Sequence, residues 1–162
     1  MATKTSKRTG ETSTTVSVGI RIDPKIKFAL DIMGRLQKRS LTAVIEWSIS
    51  QAIANQKIDS KALDLGTALD AIWSTDDSIR LVNMAQYLPE ALTYDELRIW
   101  ETIKVSEMFW NLYPDGSFGD DPKMIHSDNL RFMWDELLRF VEKHKGASTI
   151  VPMGTKDLDV VF

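Results

Sequence analysis

The stretch Val16-Ser17-Val18-Gly19-Ile20-Arg21-Ile22-Asp23-Pro24 decides how this chain is read. From Thr14 onward, Val16, Val18, Ile20 and Ile22 take the even positions, while Thr15, Ser17, Gly19 and Arg21 take the odd ones. Successive side chains of a strand point to opposite faces, and β-branched residues suit a pleated surface. The alternation therefore predicts a strand with one apolar face. Asp23-Pro24 ends it. Aspartate accepts hydrogen bonds from the free N–H groups at a helix start, and proline at the first helical position gives up a donor that is unused there.

Working outward, a helix is expected from Pro24 to about Gln37, with Ile26, Leu30, Met33 and Gly34 on its core face. Lys38-Arg39-Ser40 is a short polar break. A second helix follows to about Gln56, with Val44, Ile45, Ser48, Ile49, Ala52 and Ile53 on one face. Upstream, residues 1–13 carry Lys4, Lys7 and Arg8 among threonine, serine and glycine, and read as a flexible basic arm. A lone strand leaves its backbone groups unpaired, and about 40 residues seldom bury enough apolar surface alone. The economical solution is a two-fold homodimer in which the strands pair antiparallel over interlocked helices. Its core would comprise Val16, Val18, Ile20, Ile22, Ile26, Leu30, Met33, Val44, Ile45, Ile49 and Ile53. The odd face of the ribbon then points outward.

The order Val18-Gly19-Ile20-Arg21-Ile22-Asp23-Pro24, Leu30-x-x-Met33-Gly34, Arg39-Ser40-x-Thr42-x-Val44-Ile45-x-x-Ser48-Ile49 resembles the ribbon-helix-helix family of DNA-binding proteins, the MetJ and Arc type, over residues 14–56. The resemblance implies a ribbon inserted into the major groove of double-stranded DNA, with Thr15, Ser17, Gly19 and Arg21 toward base edges. Arg21 is the strongest candidate reader, because its planar fork matches guanine O6 and N7. The start of the second helix, Ser40, Leu41 and Thr42, would hold a phosphate on its free N–H groups, with Arg39 and Lys25 adding charge. Such contacts position a protein without reading sequence. Two residues depart from the family pattern: Lys38 stands where glycine is usual, and Gln37 where an apolar residue is usual. Both put the shape of the turn in question.

The charge distribution agrees with this polarity. Residues 1–40 hold nine Lys/Arg against three acids, and the rest of the chain holds 11 against 20, within an overall charge of −3. A basic head on an acidic body suits a protein that meets a polyanion with one end. The absence of cysteine removes disulfides and thiolate metal sites. There is no apolar run of membrane-spanning length and no secretory leader pattern, so a cytoplasmic, nucleoid- or plasmid-associated protein is expected.

Beyond the head, a linker is expected at Asn55–Asp59, then helices at Ser60–Ser74, Asp76–Leu88, Thr93–Tyr113 and Ser127–Lys145. A loop is expected at Pro114–His126 and a tail from Gly146. Residues 57–145 thus form an all-α domain for oligomerisation, for an effector or for a protein partner, and residues 146–162 a C-terminal tail. The fold class expected is mainly α. His126 and His144 are expected at the surface, and no nucleophile, metal pair or phosphate-cradling loop points to an enzyme or a cofactor. The resemblance implies a bacterial transcriptional repressor. A DNA-binding scaffold for plasmid partition or conjugative DNA processing, and the antitoxin of a toxin–antitoxin pair, stay open as alternatives.

Overall fold

The computed structural model describes residues 16–58, 63–119 and 121–157, and they are mainly helical, as expected. The α-helices are α1 Pro24–Gln37, α2 Leu41–Asn55, α3 Leu65–Ile72, α4 Asp77–Tyr87, α5 Tyr94–Val105, α6 Ser127–Phe132 and α7 Trp134–Lys143. The sheet among the described residues is one antiparallel pair, β1 Lys57–Ile58 and β2 Leu63–Asp64. The chain divides into two compact units between Ile49 and Ser50.

In the first unit the local signals act as written. The Asp23 carboxylate accepts from Lys25 N–H at 2.8 Å and from Ile26 N–H, and Pro24 opens α1. The helix ends at Lys38, whose φ of 54° and ψ of 44° are left-handed, so lysine adopts the conformation that usually selects glycine. Arg39 N–H then closes the turn on Gly34 O at 2.9 Å. Gly34 suits this turn: a Cβ at that position would lie 3.0 Å from the Arg39 carbonyl oxygen, a tight approach. The Ser40 hydroxyl accepts from Ala43 N–H and starts α2.

Residues 16–23 form neither helix nor strand within the single chain. The expected ribbon needs a ladder of hydrogen bonds, and no other described segment pairs with these residues. Thr14 and Thr15, where the strand was expected to start, lie outside the described residues.

The second unit corrects several expected boundaries. The expected linker at Asn55–Asp59 contains β1, and Leu65 N–H donates to Gln56 O at 2.8 Å. α3 starts at Leu65, not at Ser60, because Asp64 caps it through Thr67 N–H. The single helix expected over Thr93–Tyr113 stops at Val105. A 3-10 turn follows at Glu107–Phe109, and Trp110 folds back so that its indole N–H donates to Ile103 O at 2.7 Å. Thr93 and Glu96 do form the expected capping box. The expected Ser127–Lys145 helix is two helices, broken at Met133, and its N-cap is His126 rather than Ser127. No glycine or proline marks either break.

The core of this unit lies among α4, α5, α6 and α7. Ile103, Phe109, Leu130 and Leu137 are fully buried, with Trp110, Met133 and Phe140 around them. A smaller cluster of Ile58, Ala68, Ile72 and Leu88 holds α3 beside β1. The segment from Gly146 is loop-like, as expected, but Met153 in it belongs to the core, buried and donating its N–H to Ser106 Oγ at 2.8 Å, with Val151 packed against that core. Likewise, the loop after Pro114 returns through a bridge between Trp110 and Ile125.

Candidate nucleic-acid interface

The first unit presents two surfaces that bear on recognition. The segment from Val16 to Arg21 is exposed throughout, so Ser17, Gly19 and Arg21 are all accessible. Nothing lies within 4 Å of the position a Gly19 side chain would take. Arg21 has no hydrogen-bond or ion-pair partner among the described residues. The even residues are exposed too, Val16 at 87%, Val18 at 74% and Ile20 at 61%. One chain thus offers them no cover.

The second surface is the turn between α1 and α2. The left-handed Lys38 directs the chain so that Arg35, Lys38 and Arg39 border one open depression of about 550 Å³, lined also by Leu30, Gly34, Leu41 and Asp31, whose carboxylate is paired with Lys27. Ser40 caps α2 through Ala43 N–H and Val44 N–H closes on Ser40 O. That leaves the N–H groups of Leu41 and Thr42 in the first turn, where no helical acceptor exists. Free N–H groups, the positive end of the helix dipole and three basic side chains together make a place for an anion. Lys25 is exposed on the first turn of α1, while Lys27 is engaged with Asp31.

The expected dimer-core residues fall into two groups. Val44 is fully buried within the chain, and Ile22, Leu30, Met33, Ile45 and Ile53 are half-buried. Val16, Val18, Ile20, Ile26 and Ile49 are exposed. Arg35 was missed by the sequence reading, as was the exposed stripe Phe28, Ile32 and Leu36. Their spacing of four residues on α1 is the signal that would have found the stripe. Lys4, Lys7, Arg8 and Thr15 lie outside the described residues.

In the second unit, His126 is exposed, as expected, and its Nδ1 caps α6 by accepting from Asn129 N–H. His144 is half-buried, with Nδ1 2.8 Å from Phe140 O. Asp76 is held below the ordinary carboxylate range, first by the Ser78 hydroxyl and further by Ile79 N–H and Arg131. The described residues contain no group of three or more potential metal ligands of the His, Cys, Asp and Glu type. No described helix is long and apolar enough to cross a membrane.

Searches against protein-family models, curated proteins and solved structures found no match to the chain.

Proposed function

We propose that the protein is a ribbon-helix-helix DNA-binding homodimer acting as a transcriptional repressor rather than as an enzyme. The observation that carries the reading is the alternating segment 16–22. It leads directly into the Asp23-Pro24 helix start, and both its apolar and its polar faces are exposed in one chain. A second copy supplies what the segment lacks: pairing two such strands satisfies their backbone and covers Val16, Val18 and Ile20. Ser17, Gly19 and Arg21 of both strands then face outward as a ribbon of a width the major groove admits. The basic turn at Arg35, Lys38 and Arg39 and the start of α2 hold phosphates on either side. Repression follows from occupying a promoter, in a protein that works where DNA is, in the cytoplasm.

The test is fluorescence anisotropy with duplexes selected from a random pool, for the wild type and Arg21→Ala, over a salt series. The expected result is specific binding whose affinity falls steeply with salt. Arg21→Ala should weaken it by about 1–3 kcal/mol and relax the preference at one base pair in each half-site. Absence of binding to any duplex at low salt overturns the reading, and would leave residues 16–49 as a dimerisation element only.

A further inference from the structure

We infer that the helical unit carries a binding groove for small amphipathic ammonium ions, an aromatic or branched aliphatic body bearing one amine. The groove lies where α4, α5 and α7 meet and encloses about 390 Å³, within the range of small-molecule sites. Its apolar wall is Leu81 and Met84 from α4, Ile99 from α5 and Trp134 from α7. Leu81 belongs to the fully formed core, and Ile99 and Trp134 pack against that core from the outside. The wall is thus held by the surrounding packing.

The polar edge determines the class of ligand. Arg80 is already committed: one Nη donates to Ser74 O at 2.6 Å, the other pairs with Asp77, and the guanidinium lies 5.3 Å over the Trp73 ring. Asp77 and Arg80 therefore cancel. Glu96 remains, with Oε2 accepting from Thr93 N–H at 2.7 Å and from the Thr93 hydroxyl, which fixes the side chain and leaves Oε1 for a ligand. The Trp134 indole N–H has no acceptor among the described residues. A fixed carboxylate beside an aromatic and thioether wall selects a cation with an apolar body, through a charge-assisted hydrogen bond and the attraction of ring faces for cations. An anion of the same shape meets Glu96 instead of a counter-charge.

The inference does not depend on DNA binding. Its test uses the full chain, titrated with phenethylammonium, with 2-phenylethanol and with phenylacetate, while the indole N–H resonances are followed by NMR. Trp134→Phe assigns the Trp134 signal. Phenethylammonium should shift that signal with a Kd at or below about 1 mM, the alcohol about tenfold more weakly, and phenylacetate not at all. Glu96→Gln removes the charge but keeps a residue that supports the Thr93 capping box, so α5 stays folded. This variant should bind phenethylammonium about tenfold more weakly and treat it like the alcohol. Failure of all three probes to move the Trp134 signal up to about 10 mM overturns the inference. So does equal binding of cation and anion, or unchanged affinity in Glu96→Gln.

Discussion

The two units of the chain differ in what they do with their apolar residues. The helical unit buries Ile103, Phe109, Leu130 and Leu137 completely and packs Trp110, Met133, Phe140 and Met153 around them. Among its described residues, the first unit fully buries one large apolar side chain, Val44, and leaves Val16, Val18, Ile20, Ile26, Phe28, Leu36 and Ile49 in water. Apolar surface in water costs about 25 cal/mol per Å², and a contiguous exposed patch on a folded chain marks an interaction surface. The helical unit thus closes a core within one copy, although Trp73, Leu112 and Phe132 stay exposed on it, whereas the described residues of the head form no comparable core.

The strongest way to break this comparison is Ile20→Lys, which places a charge in the centre of the proposed ribbon's covered face. Sedimentation should show loss of the dimer, and DNA affinity should fall by two orders of magnitude or more, roughly the cost of an unpaired buried charge. Melting of the helical unit should not move. If the variant remains dimeric, the head is not the dimer interface. The complementary change is Leu137→Ala, a cavity in the closed core, expected to cost about 2–5 kcal/mol. Its calorimetric transition should fall in temperature independently of protein concentration, whereas the head's transition should rise with concentration.

A smaller effect sharpens the account of the turn. Lys38→Gly relieves a non-glycine residue at φ 54° and should stabilise the head by about 1 kcal/mol in chemical denaturation. It removes one positive charge from the proposed phosphate site as well. Specific DNA binding should thus weaken slightly and its salt dependence become shallower, while the preferred sequence is unchanged.

The smallest expected effect is on acid stability of the helical unit. Asp76 is lowered chiefly by the Ser78 hydroxyl, and Asp64 by Thr67 N–H and its hydroxyl. A carboxylate with a lowered folded pKa stabilises above its ordinary value of 3.8, and that contribution is lost as pH falls through the folded value. The melting temperature of the helical unit should therefore drop as pH falls below the ordinary carboxylate value, and Asp76→Asn should flatten that drop. A pH profile identical in the variant would mean that Asp76 and its contact to Arg131 contribute nothing measurable.

Legibility in the sequence differed between the units for the same physical reason. In the head, the signals are local: Asp23-Pro24 opens α1, the polar triplet Lys38-Arg39-Ser40 separates the helices, and Ser40 caps α2. The start of α1 at Pro24 was readable to the residue, and its end near Gln37 was readable as well. In the helical unit, the capping box at Thr93 and Glu96 and the stripe Leu130, Met133 and Leu137 were equally readable. The ends of α5 and α6 were not. They are set by Trp110 reaching back to Ile103 O and by the packing of Met133, contacts with no local mark in the sequence.

Of the candidate interface, the reading side chains Ser17, Gly19 and Arg21 came from alternation alone, and the family resemblance supplied their proposed role. Arg35 and the basic depression appeared only once the left-handed Lys38 had set the direction of the turn. By itself the sequence determined the mainly helical class, the starts of α1, α2, α4 and α5 and the alternating segment, because caps and periodicity act within one or two turns. Only the tertiary structure decided where α5 and α6 stop, that Met153 belongs to the core, and that Trp134 and Glu96 border one groove. Those outcomes depend on side chains brought together from distant parts of the chain, and no local pattern encodes such a meeting.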